Sequence, residues 1–499
     1  MLNYTSQNQL TIFDFKTEFE SKLNPNNRWV RMAKLLDWDK FAAIYGRNFS
    51  ATMGAKSIDA RIIIGALIIK HIEGKDDRGT IEMITENPYM QYFLGFDHFS
   101  SKPIFDASLF VHIRKRLGND SFDEMNKIII AKALKIKEIE QTPCLISDVE
   151  DLDNTLESSK EGDSKVENKG KVQMDATVCD AHVKFPTDLG LLNDAREKTE
   201  ELIDVFCKSL NISKPRTYRK EARKNWLNLS KKKRKSYKII RKGVGQQLNY
   251  VRRNIKSINT IIADNHLIMN VLTRSQYKYW LVIQELYRQQ LEMYEEKKHT
   301  ILNRIVSIHQ PHIRPIVRGK SGKNVEFGAK INISLQGGYS RISQFDFEAF
   351  NEGTYLKQQV EAFKELNGHY PELVQTDDIY MNRENRNYLK ENNIRHTGRP
   401  LGRKPKIELS KYEKLKSRKE KNERNQIEGK FGQGKQKYNL NNIMARLSST
   451  SESWIASILF VMNILKLSKD IFCQILNALF LEILQKNSSP FMIQTRQIA

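Results

Sequence analysis

Acidic residues stand at three distant places where their side chains could meet. Asp175 lies in an alternating, strand-like stretch, Asp377 and Asp378 close a later one, and Glu428 lies in a late helical segment. Residues at strand ends and on an adjoining helix of an open α/β sheet can converge in space. Their carboxylate oxygens are the ligands that Mg²⁺ and Mn²⁺ prefer. Two such ions about 3.5–4 Å apart can activate the attacking oxygen and stabilise the leaving oxygen in phosphoryl transfer.

The residues around Glu428 combine this acid with cations. On a helix that turns about 100° per residue, Lys421, Arg424 and Lys435 share the face of Glu428. A carboxylate that holds a metal, flanked by cations that hold phosphate oxygens, suits a phosphodiester substrate. The alternative is a basic helix face that contacts only solvent.

The chain is strongly basic, and most of its excess charge lies in one segment. Its 499 residues include 82 Lys and Arg against 59 Asp and Glu, a net charge of +23. Residues 214–256 hold seventeen of these cations and one acid. Such a one-sided segment would repel itself without a polyanion, which favours a helical surface that binds the DNA backbone over a solvated face. The densest part of it is the run Lys231, Lys232, Lys233, Arg234 and Lys235.

Several classes of protein are disfavoured by the composition. The four cysteines form no CxxC pair, which argues against a zinc ribbon and a disulfide framework. The N-terminus has no basic segment followed by an apolar run, so no signal peptide is expected. The most apolar stretch, residues 454–465, is shorter than the roughly 18–20 residues of a membrane span. These features predict a cytoplasmic chain without a membrane segment.

Hydrophobic periodicity divides the chain into segments. Residues 1–137 are predicted to be helical, and their last helix has a basic end in which Arg114 and Arg116 are expected to contact DNA. A helix-turn-helix-like module and a plain helical bundle fit this segment equally well. Residues 138–170 are polar and predict a disordered linker. An α/β sheet is expected in 171–194 and 306–452, interrupted by a basic helical insertion at 195–305, and apolar helices are expected in 453–499.

Alternating residues predict the individual strands of this sheet. They begin at Lys171, and recur at 326–336 and 339–348, where Gly337 and Gly338 indicate a hairpin. A short strand is expected at 371–378, with helices at about 354–366, 383–391 and 409–430.

The chain resembles the DDE transposases of bacterial insertion sequences, in the insertion-sequence-four/five superfamily. The last motif of that group reads Tyr, two residues, Arg, three residues, Glu, six residues, Lys. Arg424, Glu428 and Lys435 fit this spacing, whereas position 421 is Lys where the group has Tyr. The stretches QMDATVCDAHVKFPTD (173–188) and LVQTDDIYMNRENR (373–386) resemble the first and second motifs.

The resemblance implies an RNase H-like catalytic core in which Asp175, Asp377 and Glu428 ligate two Mg²⁺ or Mn²⁺ ions. Asp378 is the neighbouring choice for the second ligand. An all-helical N-terminal DNA-binding domain would recognise the terminal inverted repeats of the element. The enzyme would nick the DNA ends by hydrolysis and join the 3′ ends to target DNA.

Further cations around Glu428 are expected to contact phosphates. Arg424 and Lys435 are expected to do so because they fit the motif, and Lys430 and Lys437 because they lie close to it. The expected partner is double-stranded DNA, bound by a homodimer, with no small-molecule substrate. Two alternatives remain open, a catalytically silent DNA-binding protein and a structure-specific RNase H-like nuclease. Strand transfer distinguishes them, because a nuclease leaves only cut ends.

Overall fold

The computed structural model describes residues 23–47, 49, 57–141, 167–317, 325–400, 402 and 410–487. Most of the expected linker, residues 142–166, lies outside these described residues. Within them the chain has mixed α/β structure, in which a helical N-terminal region precedes a six-stranded sheet.

Short polar residues and one glycine set the bounds of the N-terminal helices. Asp59 and Asp76 accept hydrogen bonds from the first-turn N–H groups of α3 and α4, and Gly74 ends α3 with a left-handed φ of 64°. Helix α3 is apolar on most sides and is accordingly buried. The helices are α1 (Arg28–Leu35), α2 (Trp38–Gly46), α3 (Ala60–Glu73), α4 (Asp77–Glu86), α5 (Pro88–Phe93), α6 (Leu109–Arg116) and α7 (Asn119–Gln141).

The sheet has its first strand near its centre. Its strands are β1 (Lys171–Asp180), β2 (Arg314–Val317), β3 (Val325–Gln336), β4 (Tyr339–Asp346), β5 (Leu373–Gln375) and β6 (Arg395–His396). The order is β2-β3-β1-β5-β6, and β4 also pairs with β3. Strand β3 is antiparallel to β1 and β4, whereas β5 is parallel to β1 and β6 to β5. The predicted β3–β4 hairpin is confirmed, with Gly337 and Gly338 at φ values of 56° and 88°.

A helical insertion separates β1 from β2. Its helices are α8 (Asp188–Leu210), α9 (Arg219–Ser230), α10 (Tyr237–Asp264) and α11 (Arg274–Glu295). Helices α8, α10 and α11 bury apolar side chains against one another, including Leu192, Val251 and Leu286. This small core gives the insertion its own packing beside the sheet.

The last helices cover the sheet and connect it to the N-terminal region. They are α12 (Leu356–Asn367), α13 (Arg383–Glu391), α14 (Lys411–Glu423), α15 (Asn425–Lys437) and α16 (Ser448–Asn487). The expected single helix at 409–430 is instead two helices with Arg424 between them. Several apolar helices were expected at the C-terminus, but α16 is one helix that packs against α3, α6, α7 and β4. None of the helices within the described residues has the length and apolar character to cross a membrane.

Candidate active site

Two of the acids have matched positions on neighbouring parallel strands, Asp175 within β1 and Asp377 just after β5. Gln173 of β1 pairs with Gln375 of β5, and Asp175 and Asp377 each come two residues later. Both therefore lie at the same end of the β1–β5 pair. Asp175 is half-buried, and its Oδ1 accepts a hydrogen bond from the N–H of Ala176 at 2.8 Å. The side chain of Asp377 is 58% exposed.

The two paired glutamines hold the end of α14 against the sheet. Both are buried, and Nε2 of Gln173 donates to Oε1 of Gln375 at 3.0 Å. Nε2 of Gln173 also donates to the carbonyl of Glu423 at 2.7 Å, and Nε2 of Gln375 donates to the carbonyl of Glu420 at 2.6 Å. Carbonyls in the last turn of a helix need such partners. The sequence analysis missed this contact, for which the available signal was a polar residue at a buried position in each strand.

Arg424 contacts two of the acids with one guanidinium group. Its Nη1 lies 3.2 Å from Oδ1 of Asp377, and its Nη2 donates to Oε1 of Glu428 at 3.3 Å. Glu428 lies in the first turn of α15. Asp175 is close enough to Asp377 and Arg424 for both charges to act on its carboxyl group. The structure thus brings Asp377 and Glu428 to one guanidinium group, and the charge of that group also acts on Asp175.

Asp378 pairs with a different cation from Asp377. Its Oδ2 lies 3.1 Å from Nε of Arg399, and its Oδ1 accepts a hydrogen bond from the N–H of Arg399 at 3.2 Å. Asp377 instead contacts Arg424 beside Asp175. This geometry favours Asp377 over Asp378 as the second acid of the site.

The surroundings of Asp175 disfavour the ionised form of its carboxyl group. Its pKa is raised to about 6, chiefly by burial and then by the negative charges of Glu352 and Asp377. The hydrogen bond from Ala176 and the charge of Arg424 act in the opposite direction. A further positive charge beside Asp175 would therefore stabilise its ionised form.

Residues that the sequence analysis did not single out complete the surroundings of Asp175. Glu352, in the 3₁₀ turn Glu352–Tyr355, pairs with Nζ of Lys330 at 2.8 Å. The buried Tyr380 donates its hydroxyl hydrogen bond to Oδ1 of Asn332 at 2.8 Å, and Asn332 pairs with Ala176 in the sheet. Burial raises the pKa of Tyr380, so this hydroxyl stays protonated. The sequence analysis gave no signal for Glu352, which lies outside the motif stretches quoted there.

The acids suit a divalent cation chemically. Among the described residues, no group of three or more His, Cys, Asp or Glu side chains is already arranged to hold one metal ion. Asp175 and Asp377 nevertheless offer carboxylate oxygens, and each negative charge disfavours the other. Arg424 provides compensating charge in this arrangement, and a cation bound by the carboxylates would compete with it.

Replacing Asp175 with Asn is expected to stabilise the metal-free protein by about 1–3 kcal/mol at pH 7. The folded-state pKa of about 6 lies above the ordinary value of 3.8, so the charged carboxylate costs stability above pH 6. The cost fades as the pH falls through 6 towards 4. Thermal unfolding of the wild type and the variant in EDTA, at pH 7 and at pH 4, measures this difference in stability.

The same variant tests the metal site. Added Mg²⁺ should raise the melting temperature of the wild-type protein and leave that of Asp175→Asn nearly unchanged. A variant less stable than the wild type at pH 7 in EDTA, or stabilised equally by Mg²⁺, would contradict this account of Asp175.

The cations expected beside Glu428 have different surroundings. Lys437 is exposed and Lys435 half-buried on α15, so both remain predicted phosphate contacts. Lys430 is only 8% exposed, and its Nζ donates to the carbonyl of Gly338 at 3.1 Å and to Oδ1 of Asn463 at 3.3 Å. Burial lowers the pKa of Lys430 to about 7. This placement contradicts the expected phosphate contact, because the amine is already bound inside the protein.

Replacing Lys430 with Met is expected to leave the salt dependence of DNA binding unchanged, because the buried amine cannot neutralise a phosphate. Lys437→Met removes the same charge from an exposed position of the same helix. It should reduce the slope of log K against log salt concentration by about 0.9. Binding titrations at several salt concentrations measure both slopes. Equal reductions in the two variants would show that Lys430 reaches DNA.

The basic run of the insertion forms a turn and not a helix. Residues 231–235 connect α9 to α10, and all five side chains are exposed. Nearby, the guanidinium groups of Arg216 and Arg253 lie 4.5 Å and 4.8 Å from the ring centre of Tyr218. The densest part of the expected helical DNA-binding surface is therefore an exposed basic turn, and the basic segments on either side of it are helices.

The two arginines at the end of α6, Arg114 and Arg116, differ in their exposure to solvent. Arg114 is 5% exposed, and its Nη1 and Nη2 contact the carboxylate of Asp77 at 3.0 Å and 2.7 Å. The structure therefore does not present Arg114 as the exposed helix-end contact that the sequence predicted. Arg116 is exposed, with its guanidinium 4.9 Å from the ring centre of Phe49, and remains a predicted DNA contact.

Comparisons with known proteins match two parts of the chain. Residues 374–465 match a family model described as "Transposase DDE domain", and residues 17–116 match one described as "Transposase domain (DUF772)". The first match includes Asp377 and Glu428 and begins after Asp175. The chain is 26% identical over 174 residues to "Uncharacterized protein ORF8 in nfe locus" of Rhizobium meliloti, which covers 35% of this chain and 72% of that relative. No solved structure matches the chain.

Proposed function

Because its two matched segments indicate an insertion-sequence transposase, we propose that this protein moves its element by cutting and joining DNA. It binds the terminal inverted repeats, nicks the DNA ends by metal-dependent hydrolysis and joins the 3′ ends to target DNA. The observation that carries the proposal is the contact of Asp377 and Glu428 with one guanidinium group, that of Arg424, beside Asp175.

The sheet supports the proposal of an RNase H-like core. Its first strand, β1, carries the first acid and lies between the antiparallel β3 and the parallel β5. The second acid follows β5, and the third lies on a helix that packs on β1. The helical insertion falls between β1 and β2, so it extends the core without separating the acids.

Three carboxylates have the proposed role of metal ligands. Asp175, Asp377 and Glu428 would hold two Mg²⁺ or Mn²⁺ ions. Such ions supply activation of the attacking oxygen and stabilisation of the leaving oxygen. When other cations neutralise the carboxylates, the guanidinium group of Arg424 is free to donate hydrogen bonds to phosphate oxygens.

DNA is the proposed partner. The exposed turn at 231–235 and the exposed Lys437 supply cations for the backbone, and the N-terminal match is to a transposase domain. A homodimer would hold the two ends of the element in symmetric sites. The proposed place of action is the nucleoid in the cytoplasm.

A strand-transfer assay tests this function. The substrate is the DNA that flanks the gene, with its terminal inverted repeats, incubated with a supercoiled target plasmid and Mg²⁺. The expected products are nicked ends and ends joined to the plasmid, both absent in EDTA. Cut ends without joined products would identify a nuclease, and binding without cutting would identify a silent DNA-binding protein. Either result would contradict the proposed transposase.

A further inference from the structure

A cleft of about 700 Å³ lies between the N-terminal helices and the C-terminal part of the chain. Helices α3, α4 and α6 form one wall, and the segment from Tyr438 to the start of α16 forms the other. The first wall belongs to residues 17–116 and the second to residues 374–465, the two segments that match transposase models. The cleft is therefore built where these two segments meet.

The floor of the cleft carries more positive than negative charge. Lys70 and Arg114 are 1% and 5% exposed, and both contact Asp77, at 2.9 Å and 2.7 Å. Two buried cations thus share one carboxylate. The other acid of the cleft, Asp76, is exposed and accepts a hydrogen bond from the N–H of Gly79 at the start of α4. An anion in the cleft would compensate the remaining positive charge.

Hydrogen-bond donors on the floor also lack acceptors. The indole N–H of Trp454 and the Nε–H of Arg114 are buried and have no hydrogen-bond partner among the described residues. Both side chains line the cleft. The amine of Lys70 and the guanidinium of Arg114 lie 4.7 Å and 5.0 Å from the ring centre of Trp454. Neither of these two N–H groups reaches the accessible surface, so the floor adds positive charge beneath the cleft, and direct contacts to an anion come from the rim.

The rim adds exposed cations to this buried floor. Lys75, Arg78 and Arg446 are exposed and line the cleft. The cleft is larger than a single phosphate group, and its cations extend from the floor to the surface. A chain of phosphates matches this distribution better than one small anion does. Helix α16 also begins at the cleft, and the partial positive charge of its N-terminus favours anions.

We propose that this cleft binds a backbone phosphate of the element's DNA, with Arg78 and Arg446 at the rim as its direct contacts above the buried charges of Lys70 and Arg114. This inference rests on the proposed function, because it assumes that DNA is the partner. It adds a phosphate site away from the candidate active site, between the two matched segments.

A double variant of the rim, Arg78→Gln with Arg446→Gln, tests the cleft without disturbing its buried charges. DNA affinity at 0.15 M salt is expected to fall about 10–30-fold, and the salt slope by up to about 2. Lys34→Gln with Lys135→Gln is the matched control, because both lysines are exposed and neither lines the cleft. The control should change affinity less than about threefold. Equal losses in the two double variants would overturn the proposal.

Neutral phosphates in the DNA locate the contact. In a series of duplexes, each with one methylphosphonate, one position should weaken DNA binding by the wild-type protein. The same position should not weaken binding by the rim variant any further. If every position affects the wild type and the rim variant equally, the cleft does not bind a DNA phosphate.

Inorganic phosphate distinguishes DNA from a free anion as the ligand. Saturable phosphate binding that is lost in the rim variant, without coupling to any DNA position, would identify a free-phosphate site and overturn the DNA assignment. All binding is measured in EDTA, so the result does not depend on metal chemistry. Absence of DNA binding would overturn the proposed function as well, whereas absence of coupling with intact DNA binding would overturn only the cleft.

Discussion

Replacing Asp377 with Asn is expected to reduce Mg²⁺-dependent cleavage of the element's ends by about 10³-fold or more, because a metal ligand contributes several kcal/mol to the transition state. Asp377 follows β5 beside Asp175 and contacts Arg424 at 3.2 Å. Asn keeps the size of the side chain and removes the charge that a metal ion needs. DNA binding in EDTA should change less than about threefold, since the lost charge is negative.

The neighbouring acid provides the matched control for this variant. Asp378→Asn removes the same charge one residue later, where the carboxylate pairs with Arg399. Cleavage should fall less than about threefold, because an exposed ion pair contributes little. Single-turnover cleavage assays measure both variants at equal protein and DNA concentrations. Mild losses in both variants would mean that neither Asp377 nor Asp378 holds a metal ion.

Replacing the five cations at 231–235 with Gln is expected to weaken DNA binding about 10²–10³-fold at 0.15 M salt, if most of them contact phosphates. The loss should be similar for element ends and for unrelated DNA, because backbone contacts carry no sequence information. The slope of log K against log salt concentration should fall by up to about 4.5. These side chains form an exposed turn, so their replacement should leave the fold intact.

A variant that keeps the charge is the control for this turn. Replacing the four lysines of the run with Arg, so that all five positions are Arg, changes the side chains without changing the number of positive charges. Its salt slope should equal that of the wild type. An unchanged slope in the Gln variant would instead show that the run contacts only solvent.

Helix α15 connects the candidate active site to the proposed phosphate cleft. It begins next to Arg424, carries Glu428 in its first turn, and ends at Lys437, next to Tyr438, which lines the cleft. A helix of this length spans about 20 Å. The exposed Lys437 lies near its end. A DNA strand that follows α15 would therefore contact cations between the two sites.

Local sequence patterns predicted four of the six described strands and several helices, but missed β2 and β6. Alternation with two glycines identified the β3–β4 hairpin, because both signals act over neighbouring residues. The helix at 383–391 was also predicted with its observed bounds, and Asn382 caps it through the N–H of Asn385. Asp377 and Glu428 both contact Arg424, whose charge also acts on Asp175, and the assignment of all three acids as metal ligands stays a prediction.

Features that depend on tertiary contacts could not be read from the sequence. Lys430 looks like a surface cation on a basic helix, but β3–β4 and α16 enclose it and provide Gly338 and Asn463 as acceptors. The hydrogen bond between Gln173 and Gln375 requires that β1 and β5 pair in one register, and no local sequence pattern specifies that register. Glu352 approaches Asp175 only because the chain folds back after β4.

Anomalous diffraction from Mn²⁺ in crystals of the protein bound to its element end tests the shared metal site most directly. We expect manganese peaks about 2–2.5 Å from carboxylate oxygens of Asp175 and Asp377, with Glu428 as a ligand in the same group. Asp175→Asn crystals should lose at least one peak. Manganese bound elsewhere, with Asp175 and Asp377 ligating no ion, would contradict the proposed catalytic site.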